Sequence, residues 1–396
     1  MQRFEAVDTE RLPLARCAGR VLADDVRSIE LPLFDNSSVD GYAVMVSDLA
    51  GPGGDRARPL RVVADIPAGR WPQIRIKAGQ AARIMTGAPL PAGADAVVML
   101  EDTNSASRRP GTAPPAWVRI ARSVKQGENI RRRGMDARKG RRVLHRGRRL
   151  RPQDLGLLAM LNVAKVSVYR RPQIALLSSG NELARPGAPA RRGQIRESNS
   201  ITLAALMAEA GCQVLELGIA KDSAKAISAL LDRAVARKVD LIVSSAGVSV
   251  GALDLVRNVV ERRGKLDFWR VSVRPGKPLA FGEYRGVPFF GLPGNPVSAF
   301  VGFELFVRPA IARLAGLGTS SPRLVNATLE EAINSDGRES YLRSIVRGSR
   351  GGFFAKLTGH QGSGNLLSLV EANALLIIPA GVKSLAVGDQ AKAWLL

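Results

Sequence analysis

The sequence predicts a multidomain protein, with one doubly wound α/β domain between β-rich modules, on two observations. After Pro172, apolar strand-like runs alternate with helix-like segments of about 10–15 residues, which is typical of a largely parallel sheet covered by helices on both faces. On either side of that region, short apolar runs are separated by Pro and Gly turns, which is typical of small sheets and barrels. Because 396 residues exceed one ordinary hydrophobic core, we expect several domains.

The β-rich part before the α/β region contains short strand-like runs between turn residues. They are GRVLADDV (19–26), RPLRVVADIP (58–67), ARIMTG (82–87), DAVVMLED (95–102) and WVRIARSV (117–124). No apolar run reaches the roughly 18 residues that a membrane-spanning helix needs, and MQRFEAVDTERLPL lacks the apolar core of a signal segment. We therefore expect a cytoplasmic protein that does not bind membranes.

Each element of the α/β region has a local signal. The predicted strands are apolar runs that end in Gly, Ser or charged residues, and the predicted helices carry apolar residues at helical spacing between polar starts and Gly or Arg ends. The strands are 173–180, 213–220, 239–251 (running into a glycine-rich loop), 265–273 and 286–294, and the helices are 198–211, 223–237, 252–264 and 296–315.

Further short strands follow residue 319 and suit a small β-barrel. They are RLVNATLE (323–330), ESYLRSIV (339–346), FFAKLTG (353–359), ALLIIPAG (374–381) and QAKAWLL (390–396).

The formal net charge of +23 predicts anionic partners, namely nucleic acid, phosphorylated metabolites or oxyanions. Eleven Arg or Lys residues lie within 131–151, and this run is either an anion-attracting surface or a solvated basic face. The absence of a helix-turn-helix, zinc-finger or RNA-recognition signature argues against nucleic acid. The two cysteines and two histidines are too few for a disulfide framework or a histidine-rich metal site.

Ligands of doubly wound sheets bind at the carboxyl ends of the strands, and here those ends read SSGNEL, SSAGVSVGALD, VRPGKP and GLPGNPVS. Gly247 and Gly251 flank a serine-bearing loop that can direct backbone N–H groups at a phosphate. Asp254 could then bind a magnesium ion held on that phosphate. Arg274 and Lys277 lie on either side of a Pro-Gly turn, and their charges repel unless an anion lies between them.

The GLPGNPVS stretch allows two interpretations. Asn295 is a favoured N-cap and Pro296 suits the first helical position, so the segment can simply start a helix. The same helix start would also present free N–H groups and a positive dipole end to an anion.

Three earlier stretches place carboxylates and hydroxyls in turns. They are FDNSSVDGYAV (34–44, with Asp35 and Asp40), RIMTGAPLPAGADAVVMLED (83–102, with Thr86) and GENIRRRGMD (127–136, with Glu128 and Asp136). For these stretches, Asx-rich turns and a surface salt-bridge cluster are the structural alternatives to a functional role.

Eight ordered motifs resemble those of the MoeA family, the molybdopterin molybdenumtransferases, which are related to the E domain of gephyrin-type proteins. The motifs are PLFDNSSVDGYAV, RIMTGAPLPAGADAVVMLED, GENIRRRGMD, SSGNEL, SSAGVSVGALD, VRPGKPLAFG, GLPGNPVSAFV and QGSGNLLSL, and they span the chain from about Leu12 to its end. The resemblance implies a homodimer with four domains in each subunit. These are a discontinuous linker domain (1–30 with 141–170), an inserted β-rich domain (31–140), an α/β molybdopterin-binding domain of the MogA and MoaB type (171–318) and a C-terminal β-barrel (319–396).

The resemblance also implies a reaction: insertion of molybdate into adenylylated molybdopterin (molybdopterin-AMP), with Mg²⁺-dependent release of AMP, to give the molybdenum cofactor. A MogA-like molybdopterin adenylyltransferase would supply the substrate, and molybdoenzymes or later cofactor-modifying enzymes would receive the product. The residues implied for molybdate binding are Arg274, Lys277, Pro278, Ser298, Arg343 and Ser363. Those implied for substrate binding are Gly247, Ser249, Gly251, Pro293, Gly294, Asn295 and Pro296. The catalytic positions would be Asp40, Thr86, Asp136, Glu182, Glu197 and Asp254, with Asp254 as the Mg²⁺ ligand.

Four positions depart from the pattern that the family often shows: Asn181 and Glu197 stand where Asp is common, Ala246 where Gly is common and Arg274 where Lys is common. Two other functions stay open, a molybdopterin-binding scaffold without metal insertion and a basic nucleic-acid-binding protein. A tungsten-inserting relative also stays open, because molybdate and tungstate share their charge and nearly their size.

Overall fold

The computed structural model describes residues 3–49, 58–106, 112–120, 122–245, 252–318 and 322–396, except for the side chains of residues 252–254. The chain divides into two compact units, Met1–Asp24 with Arg146–Leu396, and Asp25–His145. Within the described ranges, no helix is long and apolar enough to cross a membrane.

The first unit begins with strand β1 (Thr9–Pro13) and a short 3-10 helix (Leu14–Arg16). The second unit then consists mainly of short strands. They are β2 (Val26–Arg27), β3 (Asn36–Ser37), β4 (Gly41–Val44), β5 (Leu60–Ile66), β6 (Gln80–Ile84), β7 (Ala96–Met99), β8 (Trp117–Val118), β9 (Ile130–Arg131) and β10 (Arg142–Leu144), with 3-10 helices at Val46–Asp48 and Leu100–Asp102.

Five strands of the second unit form one sheet in the order β7-β4-β6-β5-β8, and β2–β10 and β3–β9 form two antiparallel pairs. The predicted runs at 58–67 and 95–102 contain β5 and β7, and the run at 82–87 overlaps β6 at residues 82–84. The sequence pattern does not predict β4, because all four of its residues are buried and the alternation of a half-exposed strand is absent. Tyr42 and Val44 pack into one core of this unit and Ala43 into another.

The chain returns to the first unit through α1 (Pro152–Met160) and β11 (Lys165–Tyr169). β11 pairs antiparallel with β1, so that Thr9 faces Tyr169 and Pro13 faces Lys165. The two stretches that flank the second unit in sequence are therefore joined by main-chain hydrogen bonds within the first unit.

The α/β part of the first unit follows. Its elements are β12 (Gln173–Ser179), β13 (Leu183–Ala184), β14 (Ile195–Arg196), α2 (Asn199–Glu209), β15 (Gln213–Ala220), α3 (Ala224–Ala236), β16 (Leu241–Ser245), α4 (Ala252–Arg263), β17 (Gly264–Arg270), β18 (Val273–Arg274), β19 (Pro278–Tyr284), β20 (Val287–Leu292), α5 (Pro296–Gly302), a π-helical stretch (Phe303–Val307) and α6 (Arg308–Leu314).

The central sheet has the order β15-β12-β16-β20-β19-β17, and its first four strands are parallel. One face packs on α2 and the helices from α5 to α6, and the other packs on α3 and α4. The doubly wound, largely parallel sheet is therefore confirmed. The sequence pattern does not predict the antiparallel strand β19, which starts directly after the VRPGK turn and contains Gly282. A Cβ at Gly282 would lie 2.0 Å from Lys265 O on β17, so the two backbones approach too closely for any side chain there.

The C-terminal part contains β21 (Leu324–Leu329), β22 (Ile333–Asn334), β23 (Glu339–Ser349), β24 (Gly352–Leu357), α7 (Leu366–Glu371), β25 (Ala374–Ile378), β26 (Ser384–Leu385) and β27 (Gln390–Leu395). β23, β24, β21, β27 and β25 pair in that order, and β25 pairs again with β23, which closes a five-stranded barrel. The barrel confirms the prediction for residues after 319. Strand β18 pairs with β23 and so attaches the Arg274 segment to the barrel.

Candidate functional site

A cavity of about 710 Å³ opens at the carboxyl ends of β12, β15, β16 and β20. This edge of the sheet is where a doubly wound fold binds its ligand, because the loops that follow parallel strands converge there. Residues near the start of α7 complete the wall on the barrel side. Seven of the predicted site residues line the cavity: Glu182, Glu197, Pro278, Pro293, Gly294, Asn295 and Pro296.

Glu182 lies in the loop that leaves β12. Gly180, two residues earlier, has φ +151°, and a Cβ there would lie 2.6 Å from the Glu182 carboxylate. Glycine is therefore needed at 180 for the loop to turn back on itself and bring this carboxylate to the strand end.

Glu197 is 4% exposed and its carboxylate is occupied by donors from this chain. Oε1 accepts hydrogen bonds from Ser178 Oγ at 3.1 Å and from Ser200 N at 2.8 Å, and Oε2 accepts one from Ser200 Oγ. A carboxylate that receives a first-turn N–H stabilises a helix start. The geometry thus shows Glu197 anchoring the beginning of α2 to β12, beside the cavity.

Asp222 also lines the cavity, although the sequence reasoning missed it. Its Oδ2 accepts a hydrogen bond from Asn181 N at 3.0 Å, and its own N–H donates to Asn181 Oδ1 at 3.3 Å. Its position in the sequence could have indicated it, because Asp222 stands two residues after the end of β15. This strand end lies at the same edge of the sheet as the SSGNEL and GLPGNPVS motifs. Asn181, where the family often has Asp, closes this pair as an acceptor and avoids a second negative charge beside Asp222.

The polar residues Ser179, Asn199 and Ser245 also line the cavity and were missed, and all three lie at the ends of elements. Asn199 Nδ2 donates to Ser245 Oγ at 2.8 Å and to Gly294 O at 2.7 Å. Ser179 Oγ is buried at the end of β12 and has no hydrogen-bond partner in the part of the chain that the structure describes. An orphaned buried hydroxyl in a cavity wall is satisfied when a ligand or water occupies the cavity.

The start of α5 combines the two interpretations of GLPGNPVS. Asn295 occupies the N-cap position, but its side chain does not cap the helix. Asn295 Nδ2 instead donates to Ser363 Oγ at 2.8 Å, and Val297 N donates to Ser363 O at 3.1 Å. Because Pro296 has no N–H and Val297 N is already bonded, fewer first-turn N–H groups are available to an anion than the sequence suggests.

Arg343 is fully buried in the barrel, behind the loop that carries Ser363. Its Nε donates to Ser368 Oγ at 3.0 Å, and its Nη2 donates to Gly362 O at 2.9 Å. Nη1 has no partner among the described residues. Burial, together with the nearby positive charge of Arg274, lowers the pKa of Arg343 to about 10.

The remaining predicted anion contacts lie on the VRPGKP turn and the helix that faces it. Arg274 is half-buried and Lys277 is exposed on either side of the turn. A Cβ at Gly276 would lie 3.6 Å from Ser298 O, so the turn packs against the beginning of α5 where Ser298 is buried. The structure thus brings Arg274, Lys277 and Ser298 into one neighbourhood.

The second unit holds the other predicted catalytic residues, Asp40, Thr86 and Asp136. Asp40 Oδ1 accepts hydrogen bonds from both Thr86 N and Thr86 Oγ1 at 2.7 Å, and these two bonds hold the pKa of Asp40 below its ordinary value. Asp136 forms an ion pair with Arg131.

Several arginines of the basic run at 131–151 form ion pairs within their own unit. In the second unit, Arg132 pairs with Asp35 at 2.7 Å and Arg142 with Asp25 at 2.9 Å. In the first unit, Arg148 pairs with Asp154 at 2.9 Å. The surface salt-bridge cluster, given above as the structural alternative for 127–136, is therefore present at Arg131, Arg132 and Asp136.

The predicted phosphate loop lies outside the described residues. This applies to Gly247, Ser249 and Gly251, and to Ala246 beside them. Asp254 belongs to the first turn of α4, but its side chain is outside the described part of the structure.

Among the residues that the structure describes, no group of three or more His, Cys, Asp or Glu side chains could hold a metal ion as a cage. Mg²⁺ does not require such a cage, because it retains several waters and is commonly bound by one or two carboxylates together with substrate phosphates. Glu182 and Asp222 are two carboxylates in the cavity wall, and they fit that donor set.

Three family models together match most of the chain. They are described as MoeA N-terminal region (domain I and II) over residues 1–162, "Probable molybdopterin binding domain" over 175–313, and MoeA C-terminal region (domain IV) over 326–396.

Curated relatives match over nearly the whole length. A molybdopterin molybdenumtransferase 2 from Mycobacterium tuberculosis is 39% identical over 391 residues, which are 97% of this chain and 94% of the relative. A molybdopterin molybdenumtransferase from Nostoc is 38% identical over 382 residues, covering 94% and 86% of the two chains. The crystal structure of a molybdopterin biosynthesis MoeA protein from Pyrococcus horikoshii superposes with a TM-score of 0.82 at 30% identity, covering 99% of this chain and 96% of that one. The chain therefore belongs to the MoeA family.

Proposed function

We propose that this protein is a molybdopterin molybdenumtransferase that inserts molybdate into adenylylated molybdopterin and releases AMP. The observation that carries the proposal is the cavity at the carboxyl ends of the parallel strands. It brings together seven residues selected from family motifs, within a chain that matches curated transferases of that name over nearly its full length. A role in molybdenum cofactor biosynthesis follows from membership of the MoeA family.

The chemistry of the cavity neighbourhood suits a reaction between anions. Arg274 and Lys277 supply positive charge on one turn, and we assign them to molybdate together with Pro278, Ser298 and Ser363. Arg343 holds the loop that carries Ser363, and its Nη1, which has no partner among the described residues, is the atom through which it would bind an oxyanion. Fixed donors and charges of this kind stabilise bound oxyanions without reorganisation.

The carboxylates of the cavity have different tasks in this proposal. Glu197 is saturated by Ser178 and Ser200 and positions α2. Glu182 and Asp222 would hold Mg²⁺ together with Asp254. When bound, Mg²⁺ would neutralise charge on the substrate phosphates and so favour the departure of AMP. Asp40, Thr86 and Asp136 of the second unit stay proposed catalytic positions on the strength of the motif resemblance.

We also propose the assembly and the partners that the resemblance implies. The active form would be a homodimer with the four-domain division given above. A MogA-like adenylyltransferase would supply the substrate, and molybdoenzymes or cofactor-modifying enzymes would receive the product.

The test is AMP release from adenylylated molybdopterin by the wild-type protein, with Mg²⁺ present and with molybdate, with tungstate or with neither oxyanion. Molybdate-dependent release supports the proposal. Tight binding of the substrate without release would indicate a scaffold, and release that depends on tungstate but not on molybdate would indicate a tungsten-inserting enzyme. Asp254→Ala should abolish the Mg²⁺-dependent part of the release if the assigned ligand is correct.

A further inference from the structure

We infer that Asn199 is a positioning residue whose side chain holds the turn at 293–296 in the shape that binds the substrate. The inference rests on the proposed function for the identity of that substrate. It rests on the structure for everything else, because Asn199 joins three segments that are distant in the sequence at the wall of the cavity.

The amide of Asn199 uses both of its N–H groups. Asn199 is the first residue of α2 and is 8% exposed, yet Nδ2 bonds outside its own helix, to Ser245 Oγ at 2.8 Å and to Gly294 O at 2.7 Å. A carbonyl oxygen accepts but never donates, so the group that faces Gly294 has to be the NH2. The orientation of the side chain is therefore determined by its partner.

The bond to Gly294 orients a peptide group in the cavity wall. In a trans peptide the C=O and the following N–H point in opposite directions, so a fixed Gly294 carbonyl also fixes the direction of Asn295 N–H. On its other side, the same turn is held by the two hydrogen bonds to Ser363. Asn199 thus supplies the anchor on the sheet side, and Ser363 supplies the anchor on the barrel side.

The backbone of Asn199 is itself held in place. Glu197 accepts from Ser200 N and from Ser178 Oγ, which ties the first turn of α2 to β12. If the turn at 293–296 shifted, the start of α2 could move with it only by breaking the buried hydrogen bonds to Glu197. The side chain of Asn199 therefore acts as a rigid link between α2 and the turn. Removing its amide would leave Gly294 O and Ser245 Oγ without these donors.

The test compares Asn199→Ala and Asn199→Asp with wild type. The Asp variant keeps the shape but places a carboxylate oxygen against Gly294 O, and two acceptors repel. We expect the KM for adenylylated molybdopterin to rise about 10-fold while kcat changes by less than about 3-fold, because the turn contributes to binding in the ground state and the transition state alike. We also expect faster amide hydrogen exchange in peptides that cover residues 291–300.

The matched control is Asn373→Ala. Asn373 also uses both ends of its amide, with Val346 N on Oδ1 at 2.7 Å and Val346 O on Nδ2 at 2.9 Å, but it lies in the barrel and does not line the cavity. This variant should lose about as much thermal stability as Asn199→Ala. Its KM and its amide hydrogen exchange at 291–300 should stay at the wild-type values. Asn199→Ser, which keeps one donor, serves if the other two variants do not fold, and its KM should rise above the wild-type value by less than about 10-fold, while an unchanged KM would overturn the inference.

The two possible failures are distinguishable. If wild type releases AMP and the Asn199 variants keep its KM, the inference is overturned, whatever their melting temperatures. If wild type releases no AMP, the proposed function fails, and amide hydrogen exchange alone then tests the positioning role of Asn199. Faster exchange at 291–300 in the Asn199 variants then supports the positioning role, and unchanged exchange overturns it.

Discussion

Asn295 donates a hydrogen bond from Nδ2 to Ser363 Oγ at 2.8 Å, and this contact joins the start of α5 to the barrel loop at the rim of the cavity. Val297 N reinforces it with a bond to Ser363 O. The α/β sheet and the barrel therefore share one wall of the candidate site.

Ser363→Ala should weaken molybdate binding. It removes the acceptor of Asn295 Nδ2, and we expect the molybdate concentration at half-maximal AMP release to rise about 5- to 10-fold, since a hydrogen bond contributes about 1 kcal/mol. A titration of AMP release with molybdate measures this change. Ser384→Ala, at an exposed serine of strand β26, is the control and should behave as wild type. An unchanged half-saturation in Ser363→Ala would contradict the prediction.

Asp222→Asn should lower the rate of AMP release by about 100-fold, because it removes a charge from the cavity edge that is proposed to hold Mg²⁺ and the phosphates. The control is Glu216→Gln, which makes the same charge change at an exposed position of β15. Steady-state AMP release at several Mg²⁺ concentrations is the measurement. A rate of AMP release within about 3-fold of wild type would show that Asp222 does not contribute to the reaction.

Arg343→Met should destabilise the protein by about 2–4 kcal/mol. The substitution leaves Ser368 Oγ, Gly362 O and His360 O without the donors that they have now. Urea unfolding measures the change in the free energy of unfolding. Arg347→Met, at an exposed arginine of the same strand β23, should change it by less than about 0.5 kcal/mol. Equal effects of the two substitutions would refute the structural role of Arg343.

Asp154 predicts a pH dependence of stability. Burial alone would raise the pKa of Asp154, but hydrogen bonds from the Arg148 side chain and from the backbone and side chain of Arg151 hold it at about 2. A carboxylate whose folded pKa is depressed contributes stability above its unfolded pKa of roughly 3.9, and the contribution is lost as the pH falls toward 2.

The matching experiment is urea unfolding of wild type and Asp154→Asn at several pH values. At pH 7 the variant should be less stable by about 2 kcal/mol, and the difference should shrink between about pH 4 and pH 2. A difference that is the same at all pH values would show that packing, not charge, accounts for the contribution of Asp154.

Much of the fold could be predicted from local patterns. The strands at 173–180 and 213–220 and the helix at 223–237 have strong apolar periodicity and clear ends, and the structure has them within a few residues. β4 and β19 could not be predicted in the same way. β4 is buried along its whole length and lacks alternation, and β19 follows a turn whose charged residues dominate the local pattern.

The candidate site could be predicted only in part. The motif at 291–298 led to Asn295 and Pro296 because it follows a predicted strand and starts a helix, and the resemblance of the motif at 178–183 to the MoeA family led to Glu182. Asp222 and Asn199 belong to no selected motif. They belong to the site because β15 ends, and α2 begins, at the same edge of the sheet. The order of the strands in the sheet decides this.

By itself, the sequence determined the doubly wound domain, the five barrel strands and the family, because periodicity and short motifs are local. Only the tertiary structure decided which polar groups are already occupied: Glu197 by Ser178 and Ser200, Val297 N by Ser363 O, and Asn199 by Ser245 and Gly294. The physical reason is that a hydrogen bond depends on distances of about 3 Å between segments far apart in the chain, and these distances exist only after the sheet and the barrel have packed.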